Sequence, residues 1–240
     1  MASGGDFQVG ERVLFVTFSV SRLNKIDPTE SSAVCMYPIQ TINKALNNRR
    51  KECLEGHTAT TDIPWLGSTA CQSSDNPAEY LVNQIEREGT EYCHTIDFIS
   101  PLGGNTPISV DAVYTDDTIL SAIVATAHLE ETVIFLGDNN GHLKKLRVLS
   151  PSEAPLYEEE AILSGEGGPA VRNGITFSPD KNFIYFMTER KIHKIPVEEC
   201  AVHTTCEDCL GVGNGVGDPY CGWCSLQKSC TRRNESECTG

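Results

Sequence analysis

Seven of the eleven cysteines fall between Cys200 and Cys238, inside the last forty-one residues. A stretch that short cannot bury enough apolar surface to fold alone, so cross-links must hold it. Its centre, CEDCLGVGNGVGDPYCGWCSLQKSC from Cys206 to Cys230, admits three kinds of cross-link. Two Cys-x-x-Cys pairs, Cys206/Cys209 and Cys221/Cys224, stand eleven residues apart, close to zinc-ribbon spacing. Cys-Gly-Trp-Cys also has the form of a redox pair. The third reading is a disulfide staple in a secreted module. Zinc leaves Cys200, Cys230 and Cys238 without a role. A redox pair normally opens a helix after a strand, and no apolar helical run follows Cys224. Asn234-Glu235-Ser236 is a glycosylation sequon in the same segment. The disulfide reading uses the whole cluster, with zinc and redox chemistry as its alternatives.

The formal net charge of −14 opposes binding to nucleic acid or anionic lipid, both of which need Lys and Arg to meet phosphate. No run of eighteen apolar residues is present, so no segment reads as a membrane span. The opening MASGGDFQVGERV has neither the basic nor the apolar part of a signal peptide. That alone would suggest the cytosol. The cysteine density points instead to an oxidising compartment and to a piece of a longer chain.

Before Val197 the chain reads as short strands. ISVDAVYT, ILSAIVATAH, TVIFLGD and HLKKLRVL form four candidates in about forty residues, the last two joined by the tight turn Asp138–Gly141. Four strands with short turns have the form of one propeller blade. NGITFSPD, NFIYFMTE and KIHKIPV give a second unit of three strands, as in a blade closed by a strand from elsewhere. Earlier, RVLFVTFSV and SAVCMYPI read as strands. IQTINKALNN carries Ile39, Ile42 and Leu46 on one helical face, and DNPAEYLVNQIEREG reads as a second helix.

No catalytic constellation emerges. Asp116-Asp117 and Glu158-Glu159-Glu160 are adjacent carboxylates, which read as turns or edge-strand guards. The histidines at 57, 94, 128, 142, 193 and 203 show no ligand-like spacing, and His142 and His193 read as solvent-facing. Lys144, Lys145 and Arg147 read as a solvated basic stripe. GVGNGVG and SGEGGPA read as flexible connections, not phosphate loops.

Taken together, VEECAVHTTCEDCL and GDPYCGWCSLQKSCTRR resemble the plexin–semaphorin–integrin (PSI) module. SAVCMYPIQTINKAL resembles the strand-plus-helix passage late in a sema domain. VIFLGDNNGHLKKLRV and FSPDKNFIYFMTERKIHKIPVEEC resemble its last two blades. Semaphorins read DPYCAWD where this chain reads DPYCGWC and then CTRR, which resembles the plexin form. The hepatocyte growth factor receptor and its relatives share GWC but lack the DPYC lead-in. FLGDNNGHL and the Cys71-to-Cys93 spacing lean towards a B-type plexin.

The resemblance implies an all-β fold: the C-terminal blades of a seven-bladed β-propeller (sema) with a short helical excursion, then a small disulfide-rich PSI domain. The implied domains are 1–197 and 198–240. The family's pairing, carried over, implies Cys53–Cys71, Cys200–Cys221, Cys209–Cys230 and Cys224–Cys238. Cys35, Cys93 and Cys206 are left unpaired, with partners outside the sequence given, and Trp223 is placed against the bridges. Asn234 is the glycosylation candidate. The implied protein is the extracellular part of a single-pass plasma-membrane receptor for semaphorins, signalling by recognition and not by catalysis. Other sema-domain receptors are further partners. Neither nucleic acid, direct membrane contact, metal nor cofactor is implied. The alternatives are a semaphorin-type ligand and an intracellular zinc module.

Overall fold

The computed structural model describes residues 12–21, 27–54, 107–161, 168–212 and 216–233. Among the described residues, twelve strands, β1 to β12, make four sheets. The first joins β1 (Val13–Ser21), β2 (Pro28–Pro38) and β3 (Ala112–Asp116) in that order. The second is a four-stranded blade of β4 (Leu120–His128), β5 (Glu131–Asp138), β6 (His142–Val148) and β7 (Leu156–Ala161). The third is a three-stranded sheet ordered β10 (Ile192–Pro196), β9 (Phe183–Met187), β8 (Ile175–Phe177). These sheets and the cysteine-rich segment share one compact unit. Helix α1 (Ile39–Leu54) belongs to another, where the Ile39 amide donates to the Arg12 carbonyl at 2.9 Å. The helix proposed over DNPAEYLVNQIEREG lies outside the described residues.

β5 is the blade's spine. Its run Val133–Asp138 is buried throughout, as a central strand covered on both faces must be. The turn into β6 is fixed by Asp138, whose Oδ1 accepts from the amides of Asn140 (2.9 Å) and His142 (2.8 Å). Gly141 sits at φ +86°, where a side chain would strain the backbone. A Cβ on Gly137 would fall 2.4 Å from a Val171 methyl carbon, so the approach of the neighbouring chain requires glycine there.

The strand grouping differs from the one expected. ISVDAVYT supplies β3, but β3 pairs with β2, through Ser32↔Asp116 to Cys35↔Ala112, and not with β4. The fourth strand of the blade is β7, the glutamate run itself. It lies on β6 with Lys144 opposite Glu159 and Lys145 opposite Glu158. The carboxylates were legible as an edge guard; what the sequence hid was that two lysines one strand away neutralise them.

Lys144 and Lys145 are therefore not a solvated stripe. Successive strand residues face opposite sides, and both ammonium groups are buried. Lys144 Nζ lies 2.6 Å from Asp116 Oδ2, 3.7 Å from Asp138 and 3.6 Å from Glu159, tying β3 to the blade. Tyr114 and Thr118 hydroxyls also donate to Asp116. Burial pushes the Asp116 carboxyl up, but the Lys144, Thr118 and Tyr114 hydrogen bonds outweigh it and hold the group down at about 2. A depressed carboxyl contributes stability that is present above its unfolded value and is lost as pH falls through its folded one.

Asp116→Ala should cost about 3 kcal/mol in urea denaturation at neutral pH, since it leaves Lys144 buried with weaker partners. It should also remove part of the stability lost between about pH 4 and pH 2. An unchanged acid limb would show that Asp116 does not carry it.

Candidate functional site

The recurring demand on the last forty residues is attachment to the sheets before them, and the residues doing this form the candidate site. After β10, Val197 is fully buried and its amide donates to the Asn182 carbonyl at 3.0 Å. A 3-10 turn (Cys200–Val202), a one-turn helix α2 (Cys206–Cys209) and the hairpin β11 (Cys221–Cys224) and β12 (Ser229–Arg232) follow. Thr205 caps α2 by accepting from the Asp208 amide at 3.1 Å. The interior of this segment is Cys200, Cys209, Cys221 and Cys230, with Trp223 packed against them.

Tyr220 carries the attachment. It is 2% exposed and joins Phe135, Leu143, Ile184, Phe186 and Val197 in one hydrophobic cluster, so a residue of the cysteine-rich segment completes the core of the blades. Its ring lies 4.3 Å from the His128 ring and 6.4 Å from that of Phe135. The Arg232 guanidinium stands 5.5 Å over it, a cation on an aromatic face. The loop is aimed by Asp218, whose Oδ1 accepts from the Tyr220 amide at 2.8 Å and whose carbonyl accepts from Cys221 at 3.0 Å. The Tyr220 carbonyl in turn accepts from Arg233 at 2.7 Å. The Tyr220 hydroxyl is buried without a hydrogen-bond partner, and burial pushes its pKa up to about 12.

The arginine pair of CTRR reaches back to the sheets. Arg232 Nη1 donates to Asn182 Oδ1 before β9. Arg233 lies 4.0 Å from Glu131, which Arg147 holds through two hydrogen bonds of 2.7 and 3.0 Å. Nothing in the sequence reading singled out Tyr220 or these arginines as contacts. The available signal was a tyrosine adjoining a bridged cysteine, with arginines closing the hairpin opposite.

The geometry decides between the three kinds of cross-link. Cys200 is bridged to Cys221 and Cys209 to Cys230, with Cα separations of 5.4 and 5.6 Å. Cys224 is disulfide-bonded as well. Three of the four sulfurs of the zinc-ribbon reading are thus oxidised, and so is the Cys-Gly-Trp-Cys pair. Cys206 is a free, exposed thiol and Cys35 a free, buried one. Burial raises the Cys35 thiol pKa. The side chains of Cys53, Cys71, Cys93, Cys238 and Asn234 lie outside the described residues.

His142 and His193 are not free on the surface. His142 Nδ1 is 3.1 Å from Asp138 Oδ2, and His193 stacks on Phe186 at 4.9 Å and bonds to Thr188. Asp138, His142 and Glu159 bring one ligand atom each within 4.8 Å of one another, a grouping that the sequence reading missed. Lys144 Nζ already sits within 4 Å of both carboxylates, so the positive charge such a cluster calls for is built in. At the two ends of GVGNGVG, Gly211, at φ +64°, abuts Gly217 too closely to admit a side chain. Among the described residues, no helix is long and apolar enough to cross a membrane.

Comparison with known proteins agrees with this organisation. Residues 2–176 match the Sema domain family, and residues 199–240 match the plexin repeat, the PSI family. Plexin A3 of Danio rerio is 34% identical over 232 residues, 95% of this chain and 11% of that protein. The chain thus spans about a tenth of the curated relatives it matches. Among solved structures, the full extracellular region of Plexin A4 aligns with a TM-score of 0.67 and 30% identity, over 94% of this chain and 21% of that one. Drosophila Plexin A in complex with Semaphorin 1b aligns with a TM-score of 0.57 at 19% identity, over 97% of this chain and 46% of that one, a likeness of fold alone. The plexins matched are A-type, so the lean towards a B-type is not supported. One of its two clues, FLGDNNGHL, contains the turn that Asp138 and Gly141 build for the blade, a demand of the fold and not of a subtype; the other, the Cys71-to-Cys93 spacing, lies outside the described residues.

Tyr220→Ala should destabilise the chain by about 3–5 kcal/mol, the range for deleting a buried aromatic ring. Tyr220→Phe should be neutral or slightly stabilising, because the hydroxyl it removes has no partner. Chemical denaturation of both variants checks this, and a large loss in Tyr220→Phe would contradict it. Under native, non-reducing conditions a thiol reagent should label Cys206 promptly and Cys35 only on unfolding. Protection of Cys206 that depends on added zinc would revive the metal reading.

Proposed function

We propose that this chain, which belongs to the Sema domain family, is the late propeller and PSI portion of the extracellular region of a plexin-type semaphorin receptor. The observation carrying this reading is continuity: similarity to an A-type plexin runs through both segments, in order, across 95% of the chain. An A-type parent fits the relatives better than a B-type one. The solved complex of Drosophila Plexin A with Semaphorin 1b supports a semaphorin as the partner of the parent molecule. Other sema-domain receptors are further candidate partners.

The region acts by recognition and orientation, not by bond-making. Tyr220 and Arg232 fix the PSI module on the last blades, and the Cys200–Cys221 bridge ties its hairpin to the point where the chain leaves them, so that it works as a rigid wedge between propeller and stalk. Ligand binding on the propeller would then be relayed through a membrane span to a cytoplasmic GTPase-activating region of the parent receptor at the plasma membrane. The division at 1–197 and 198–240 follows Val197, the last core residue of the blades, and Cys200, the first bridged residue of the module. The pairing we assign is Cys53–Cys71, Cys200–Cys221, Cys209–Cys230 and Cys224–Cys238. Cys35, Cys93 and Cys206 stay unpaired in the sequence given, and Asn234 is a candidate glycan acceptor.

The test is direct binding. A panel of semaphorin ectodomains is passed over the immobilised full ectodomain of the parent protein. Saturable binding of at least one member is expected. A folded ectodomain that binds none of them would sink the receptor reading.

A further inference from the structure

We propose that Asn173 is a site of spontaneous covalent modification: in the folded chain its side-chain amide is converted to aspartate and isoaspartate, while Asn140, with the same glycine after it, is kept intact by the turn that holds it. This goes beyond the receptor reading and does not depend on the identity of the ligand.

Asparagine followed by glycine is a labile pair, because no side chain hinders attack of the next backbone nitrogen on the asparagine amide. The chain has three such pairs, Asn140-Gly141, Asn173-Gly174 and Asn214-Gly215, and the last lies outside the described residues. Asn140 and Asn173 are both exposed, so exposure does not separate them; the backbone does. At Asn140, ring closure would have to break a built turn. Asp138 Oδ1 accepts from the amides on either side of Gly141, those of Asn140 and His142, at 2.9 and 2.8 Å, and the Gly141 amide itself reaches the Asp138 carbonyl at 3.5 Å. Gly141 is held at φ +86°, with the Gly168 backbone 3.0 Å from where its Cβ would stand. At Asn173 these restraints are missing. Among the described residues, no hydrogen bond holds the Asn173 amide, the Gly174 amide or the Asn173 side chain. The groups that are held lie one residue outside the pair: the Arg172 amide donates to the Met187 carbonyl at 2.8 Å, and Ile175 is paired with Phe186. What lies nearest a Cβ on Gly174 is the Met187 methyl carbon at 2.9 Å, the free end of a flexible side chain.

The chemistry needs only water. The Gly174 amide nitrogen gives its proton to hydroxide and attacks Cγ of Asn173; the Cγ–Nδ2 bond breaks and Nδ2 leaves as ammonia, closing a five-membered succinimide. Water then opens the ring. Addition at Cγ restores the backbone and leaves aspartate. Addition at the backbone carbonyl leaves the chain running through Cβ and Cγ, which is isoaspartate. The site sits between two core anchors. Val171 is 1% exposed and its amide donates to the Asp138 carbonyl at 2.9 Å, and Ile175 packs on the same hydrophobic cluster. Isoaspartate inserts one more backbone carbon between them and loosens the entry to β8. Either product sets a new carboxylate beside Arg172.

The test is to incubate the native, oxidised chain in mildly alkaline buffer at physiological temperature and to follow both asparagines by peptide mapping and mass spectrometry. Asn173 should convert about fivefold faster than Asn140 or more, because reaction at Asn140 waits on local opening of its turn. In the reduced, denatured chain the two rates should come together. Gly174→Ala should suppress conversion at Asn173, since the added methyl hinders the attacking nitrogen and the Met187 side chain can move aside for it. Should that variant fail to fold, the comparison of Asn173 with Asn140 in the native chain decides alone. Conversion of Asn140 as fast as Asn173 in the native chain overturns the proposal. So does an Asn173 that stays intact in the native chain while it converts in the denatured one, or a folded Gly174→Ala variant whose Asn173 converts at the original rate.

Discussion

Two adjacent residues, Tyr220 and Cys221, do what the rest of the C-terminal segment cannot. One puts a ring into the core of the blades; the next is bridged to Cys200, three residues beyond the buried Val197. A module of about forty residues has too little interior to stand alone. It borrows one through Tyr220 and limits its unfolded freedom through its bridges, each contributing roughly 2–4 kcal/mol. Removing either device would leave the other with little to hold. The arginines of the hairpin add orientation to this attachment, reaching Asn182 and the neighbourhood of Glu131 on two different strands' edges.

The blade itself is arranged around two lysines that the sequence makes look superficial. Lys144 and Lys145 point to opposite faces of β6. One joins the blade to β3 through Asp116; the other is locked to Glu158 on β7. Buried ion pairs are a poor source of net stability compared with apolar packing. Their value here is geometric. Each fixes which element may lie against that face, and breaking either leaves a buried ammonium with its nearest counter-charge gone.

Much of this was legible. Cysteine density announced a cross-linked module, because only a chain lacking a core spends so many residues on sulfur. Asp138–Gly141 announced a turn, because left-handed backbone at Gly141 needs glycine. The three-strand last sheet followed from three short strand segments between Ile175 and Pro196, with Pro179 and Asp180 marking the turn before the apolar, aromatic second one. The errors share one cause. A run such as Glu158-Glu159-Glu160 has no period of its own, and a Lys-Lys pair reads as solvated until its cross-strand partners are known. Strand pairing is a long-range fact, so ISVDAVYT was placed in the wrong sheet although it was rightly read as a strand. Tyr220 escaped for a related reason: a tyrosine in a Gly-Pro-rich loop carries no local sign that its ring completes another segment's core.

Module and last blades share one core through Tyr220, and should therefore open together. Native-state hydrogen exchange against increasing denaturant tests it most directly. The amides to follow are those of Arg233 in the module, bonded to Tyr220, and Ser178 in the last sheet, bonded to Phe183. Both should merge into one global opening with a common free energy and denaturant dependence. If Arg233 instead exchanges through a separate opening that is several kcal/mol cheaper, while Ser178 stays protected, the module is an appendage and the claim fails.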